Sequence, residues 1–210
     1  VCRPRRGHRG LRGGIDSNGA MRLYNTLTGE AREFAPADGK IVLVVCDKSE
    51  AYALKRAQKA GIRTFILEAK GSESREAYDR QVMEELKALG IELIVLAGFM
   101  RLLSDQFVDE YYGRIMNIHP ALLPSFKGTH GIKDAFEYGV KVTGVTVHFV
   151  NKQLDAGPVI LQESVLVDEK DTEETLEEKI HKVEHKLYPE AVRLFSQGRL
   201  QAEGRRVKIL

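Results

Sequence analysis

The sequence predicts an α/β fold: a doubly wound, mostly parallel open sheet of the Rossmann-like kind, with an N-terminal strand that is atypical or missing. Three features point there. Short apolar runs rich in β-branched residues recur at 41–45, 64–67 and 91–96, the pattern of strands covered on both faces. Segments with helical spacing separate them and close on Gly61 and Gly90, which suit the residue just past a helix end. Strand–helix alternation of this kind joins parallel strands through right-handed crossovers.

The elements follow in order from residue 40. A first strand at 41–45 leads to a helix at 49–60, with Ala53, Leu54, Ala57 and Ala60 on one face. The second strand is 64–67. Ser74 caps a helix reaching about Leu89. After the third strand, Gly98 opens a loop, Ala97-Gly98-Phe99-Met100-Arg101-Leu102-Leu103, of the kind that binds ligands or simply connects. Ser104 caps a short helix to Tyr112. A central strand at 114–118 runs into His119-Pro120. A helix at 132–138 ends at Gly139, a strand with one more polar face spans 142–150, and 151–158 form a loop. A strand at 158–167 precedes a long helix from Asp171 and Thr172 to about Gln197. Pro189 within it predicts a kink or break. Residues 199–210 read as a short hairpin.

The composition excludes several classes of function. With 210 residues, 43% hydrophobic, the chain can bury one large core or two small ones. A net charge of +2 implies no polyanionic partner. No apolar run approaches the roughly 18 residues of a membrane helix, and the basic start lacks the apolar segment of a signal peptide. Cys2 and Cys46 are the only cysteines, which suggests a reducing compartment and supports no metal site. A soluble, cytoplasmic protein, monomer or homodimer, with no nucleic acid or membrane partner is the expectation.

The chemistry gathers at Ile-Met-Asn-Ile-His-Pro, residues 115–120. Asn117 and His119 are two apart, so on an extended backbone they point to the same side. Pro120 holds the residue before it extended, at a strand end, where open α/β sheets place their sites. Asp155 lies in a loop between two later strands. A carboxylate beside an imidazole holds one tautomer and favours the protonated ring, a competent general acid. A carboxamide nearby can donate to a developing oxyanion. The three make a kit for acyl-type transfer without a protein nucleophile. The competing reading of His119 alone is a satisfied structural histidine.

The stretches N-I-H-P-A-L-L-P-S-F-K-G, H-F-V-N-K-Q-L-D-A-G-P and A-G-F-M-R-L-L-S resemble the signature of the folate-dependent formyltransferases. So do S-R-E-A-Y-D-R, T-G-V-T-V-H-F-V and E-H-K-L-Y-P, and the similarity runs from about residue 40 to the end. It is closest to members that formylate glycinamide ribonucleotide in purine synthesis. The resemblance implies direct attack of the substrate amine on the formyl carbon of 10-formyltetrahydrofolate, a co-substrate, with no metal. It implies that Asn117 binds the oxyanion, His119 is the proton donor, and Asp155 keeps His119 charged and moves the proton through water. Met100, Arg101, Leu102 and Leu103 line the pterin pocket, largely by backbone groups, and Arg75 meets the far end of the folate. Glu184 contacts the glycinamide nucleotide; without the resemblance it reads as a solvated helix carboxylate. His148 reads as a structural residue or one behind the reacting groups.

Residues 1–39 depart from that family. Its members open with a short buried strand and a loop, roughly S-G-x-G-[ST]-N, whose backbone N–H groups hold phosphate. Here residues 1–20 are Arg- and Gly-rich and read as a disordered tail or a nucleic-acid arm. Residues 13–19, G-G-I-D-S-N-G, have the right types in the wrong order. Residues 21–39 suggest a short hairpin around Thr28-Gly29-Glu30, and 21–36 resemble the start of a cysteinyl-tRNA synthetase. The expected division is an atypical segment at 1–39, foreign or partly disordered, and a formyltransferase domain at 40–210. A frameshifted or misassembled reading, or a fusion scar, would account for the first. Competing functions are a 10-formyltetrahydrofolate hydrolase, an inactive folate-binding remnant without a phosphate loop, and a nucleic-acid binder.

Overall fold

The computed structural model describes residues 40–69 and 74–210, and the strand at 22–27. In chain order the elements are β1 (Arg22–Leu27), β2 (Lys40–Cys46), α1 (Tyr52–Lys59), β3 (Arg63–Ile66), α2 (Arg75–Ala88), β4 (Leu93–Ala97) and α3 (Asp105–Glu110). There follow β5 (Ile115–His119), α4 (Gly131–Tyr138), β6 (Val142–Phe149), β7 (Val159–Leu166), α5 (Glu173–Ser196), β8 (Leu200–Glu203) and β9 (Arg206–Ile209). One sheet takes all the strands in the order β3-β2-β1-β4-β5-β6-β7-β9-β8.

The five strands from β3 to β5 are parallel. β6 is antiparallel to both β5 and β7, so the second half of the sheet departs from the all-parallel pattern. The strand order reverses between β1 and β4. Such a switch opens a crevice at the carboxyl ends of the strands.

Successive residues of a strand face opposite sides, and the core divides accordingly. Leu93 and Val95 of β4 pack with Leu176, Ile180, Ala191 and Val192 of α5. Ile94 and Leu96 pack on the other side with Tyr78, Val82 and Leu86 of α2 and Phe107 of α3. Helix starts follow the sequence: the hydroxyls of Ser74, Ser104 and Thr172 accept the N–H groups of Ala77, Phe107 and Thr175. Each such cap contributes about 1 kcal/mol.

Two expectations are corrected. Residues 22–27 are not one arm of a hairpin. They form β1, with one edge parallel to β2 and the other parallel to β4. A strand has two edges, and both are taken. The first strand is therefore present, at the centre of the sheet, although its text (RLYNTL) lacks the apolar run of its neighbours. Residues 1–21 and 28–39, including the proposed turn at 28–30 and the glycines of 13–19, lie outside the described residues. Second, of the kink or break expected at Pro189 the break does not occur: α5 runs on through it for 24 residues. Leu187, Tyr188, Ala191 and Val192 are buried on both sides of the proline, and that packing outweighs one lost backbone hydrogen bond.

Candidate active site

Asn117 and His119 occupy the last turns of the pleat in β5, at the carboxyl edge of the sheet. The antiparallel register sets Asn117 opposite His148 and His119 opposite Thr146. A two-residue period on each strand thus meets a two-residue period on its partner, and four polar side chains come together under cover. His119, Thr146 and His148 are all at most 3% exposed.

Each group has a defined partner. His148 Nδ1 lies 2.9 Å from the Phe149 carbonyl, and a carbonyl only accepts, so Nδ1 carries the proton. Nε2 is then the acceptor for Asn117 Nδ2 at 3.2 Å. Burial lowers the pKa of His148, which keeps the ring neutral and suited to this role. One N–H of the Asn117 carboxamide is therefore held, and the other is left to serve a ligand. His119 Nε2 donates to the Phe126 carbonyl at 2.7 Å. Its Nδ1 faces Asp155 Oδ2 at 3.7 Å, and Asp155 Oδ1 is 3.8 Å from His148 Nε2.

Asp155 arrives from the loop between β6 and β7, and its side chain is 7% exposed. Asn151 folds that loop: its Oδ1 accepts the Gln153 N–H and its Nδ2 donates to the Ala156 carbonyl. Asp155 itself takes a left-handed backbone, φ 48°, which Asp tolerates better than most residues. The Gly128 N–H donates to Asp155 Oδ2 at 2.8 Å, so the carboxylate ties the 126–128 turn to the site.

The turn after His119 is pinned from beneath. Thr146 Oγ1 donates to the Ala121 carbonyl at 2.7 Å and accepts from the Leu123 N–H at 3.1 Å. Gln162 Nε2 of β7 donates to the Leu123 carbonyl and to Thr146. Thr146 and Gln162 escaped the sequence reading, although the alternation of polar residues on the strand at 142–149 was the available signal. His148 was read as a structural residue or one behind the reacting groups; its ring touches Asn117 and lies 3.8 Å from Asp155.

The remaining candidates surround this centre. Gly98, at φ 63°, turns the chain out of β4. Met100 and Leu102 are exposed, while Arg101 stacks over the Tyr78 ring with 4.1 Å to its centroid and Leu103 is half-buried. Arg75 is the first residue of α2 and pairs with Glu76 at 3.2 Å. The hydrogen bonds and ion pairs of Asn117, His119 and Asp155 given above run to His148, Phe126 and Gly128 and to one another, and not to Arg75, Met100, Arg101, Leu102 or Leu103. Glu184 lies one turn before Tyr188 on α5. The Tyr188 hydroxyl bridges the Leu96 and Met116 carbonyls at 2.7 and 2.9 Å, which seats this part of α5 against β4 and β5. Burial, and secondarily the charge of Glu177, push the Glu184 carboxyl up to about 7.

That shift makes a stability prediction. Between the ordinary value of 4.5 and about 7 the folded chain binds a proton at Glu184 that the unfolded chain does not. Stability therefore falls as pH rises through that window and stays lower above it. Glu184→Gln cannot titrate. Its melting temperature should exceed that of the unmodified chain at pH 8, by the equivalent of about 1–3 kcal/mol, and the difference should close toward pH 4.5. Melting curves across pH check it; a difference constant with pH would refute it.

A half-buried carboxamide, a buried imidazole and a nearly buried carboxylate at the carboxyl edge of a doubly wound sheet mark the site of an α/β enzyme. Among the described residues no cluster of three or more His, Cys, Asp or Glu is placed to hold a metal ion, and no helix is long and apolar enough to cross a membrane. The chain belongs to the formyl transferase family, whose pattern matches residues 18–192. It is 45% identical over 156 residues to the phosphoribosylglycinamide formyltransferase of Bacillus subtilis, covering 74% of this chain and 80% of that one. It is 42% identical over 165 residues to the human trifunctional purine biosynthetic protein adenosine-3, which covers 79% of this chain but only 16% of that protein. Among solved structures, glycinamide ribonucleotide transformylase 1 from Symbiobacterium toebii superposes with a TM-score of 0.85 at 40% identity, covering 92% of this chain and 96% of that one.

Proposed function

We propose that this enzyme transfers the formyl group of 10-formyltetrahydrofolate to the amine of glycinamide ribonucleotide, a step of purine synthesis. The observation that carries the reading is the convergence of His119 and Asp155 at 3.7 Å with the Asn117 carboxamide held at 3.2 Å by His148. The name of the 45% identical Bacillus subtilis relative supports formyl transfer to the acceptor. A cytoplasmic setting belongs to the same reading, as does a monomer or homodimer.

The residues present fit a flat, partly apolar donor. Exposed Met100 and Leu102 stand on the loop after β4, and peptide groups beside them can bond the pterin edge. When bound, the donor supplies an electrophilic formyl carbon. Asn117 directs its unused N–H to the oxygen on which charge develops. Protonated His119 has an acceptor at each nitrogen, the Phe126 carbonyl at Nε2 and the Asp155 carboxylate at Nδ1. The 3.7 Å separation exceeds a direct hydrogen bond, and such contacts tighten on substrate binding or close through water. Asp155 then relays the proton leaving the amine, through water, to the folate nitrogen as its bond to the formyl carbon breaks, and tetrahydrofolate is released. Arg75, at the start of α2, is assigned to the acidic tail of the donor, and Glu184 on α5 to the acceptor.

The direct test is product analysis with both substrates. Formylated glycinamide ribonucleotide should form only when donor and acceptor are present. Formate released without the acceptor would favour the hydrolase reading, and folate binding without turnover the remnant. The text of residues 1–39 does not spell the S-G-x-G-[ST]-N loop. We therefore expect a Michaelis constant for glycinamide ribonucleotide well above that of the Bacillus subtilis relative, and a matching value would overturn this part.

A further inference from the structure

The donor loop at 98–104 is held from behind by two neighbouring residues of α2 that the catalytic reading leaves unused. Asp79 is 2% exposed, a buried carboxylate in an otherwise apolar helix face. Its Oδ2 accepts the Ser104 N–H at 2.5 Å, across 25 residues of sequence. Ser104 in turn caps α3 through the Phe107 N–H. Tyr78, also 2% exposed, lies flat under the Arg101 guanidinium. A small cavity between α2 and the loop is lined by Tyr78, Asp79, Leu96, Phe99, Leu103 and Phe107.

The loop is thus tied at its middle and at its end. Arg101 and Ser104 are drawn toward α2, and Met100 and Leu102 are left outward. Burying a carboxylate is costly unless it makes strong hydrogen bonds. An apolar residue would fill this position more cheaply, so the charge has a task. A charged acceptor on a backbone N–H fixes the direction of the peptide as well as the place of the chain.

We propose that Asp79 and Tyr78 are positioning residues for the donor half of the site, holding the backbone at 100–104 as a rigid shelf whose peptide groups recognise a flat heterocycle. The inference rests on the formyl-transfer reading. Loosening the shelf costs donor affinity and leaves Asn117, His119 and Asp155, on β5 and the loop after β6, undisturbed.

The test uses the full chain with Asp79→Ala, Asp79→Asn and Tyr78→Leu. The Michaelis constant for 10-formyltetrahydrofolate, and the dissociation constant of tetrahydrofolate by calorimetry, should rise about 10- to 100-fold in Asp79→Ala. They should rise less in Asp79→Asn, which keeps an acceptor oxygen. The turnover number at saturating donor and the Michaelis constant for glycinamide ribonucleotide should change less than about threefold, well under the tenfold that 1.4 kcal/mol would produce. If Asp79→Ala does not fold, Asp79→Asn and Tyr78→Leu carry the measurement. Lower melting temperatures with unchanged donor constants would overturn the proposal by reducing the pair to core packing. Equal losses in both substrates would overturn it too. An unmodified chain that neither binds folate nor transfers formyl would instead sink the underlying function.

Discussion

His119→Ala is expected to lower the turnover number of formyl transfer by about 10²- to 10⁴-fold, the range typical of a general acid–base residue. The ring links the Phe126 carbonyl to the Asp155 carboxylate, whose other oxygen lies 3.8 Å from the His148 ring that holds Asn117. Asp155→Asn should fall in the same range. An amide cannot offset a proton at Nδ1, although its oxygen can still accept the Gly128 N–H. The double variant should be little worse than either single one, because groups that act as a unit are strongly non-additive. Donor binding should persist in all three, since the loop after β4 is untouched. Single-turnover kinetics with a separate folate-binding measurement checks both halves. Turnover within threefold of the unmodified chain in His119→Ala would refute the assignment.

Gly157→Ala is expected to cost about 3 kcal/mol or more, the upper range for forcing an atom into a packed site. A Cβ at this position would overlap the Phe149 carbonyl oxygen, a backbone atom that cannot swing aside. The Phe149 N–H meanwhile donates to the Pro158 carbonyl at 2.9 Å, so the loop cannot retreat without losing that bond. At about 2–4 °C per kcal/mol for a chain of this size, the melting temperature should drop by roughly 6–12 °C. Asp155 is two residues away, so activity should fall even below the transition. Thermal melts and assays at a permissive temperature separate the two effects. A melting temperature within 2 °C of the parent would show that the loop yields.

Much of this was legible before any coordinates. Hydrophobic period and caps marked the helices and the strands from residue 40 onward. The two-residue spacing of Asn117 and His119, closed by Pro120, put a carboxamide and an imidazole on one side of a strand end. Asp155 could be placed only through the resemblance, because nothing local says that a loop 36 residues after His119 returns to it. Thr146 and Gln162 were missed because a threonine and a glutamine in strands look like ordinary polar positions until the partner strand is known.

What the sequence determined by itself is whatever neighbouring residues decide among themselves. Periodicity, capping hydroxyls at Ser74, Ser104 and Thr172, and the direction of side chains along one strand are of that kind. The tertiary structure alone decided the rest. Residues 22–27 carry too little apolar pattern to announce a central strand, and they become one because β2 and β4 each present a free edge. Pro189 should interrupt a helix, yet α5 continues because its burial against β4 and β6 exceeds the local penalty. The pairing of β5 with β6 seats His148 beside Asn117, and burial gathered from several segments raises Glu184. Strand edges and burial are properties of the whole fold, so no single stretch of the chain can state them.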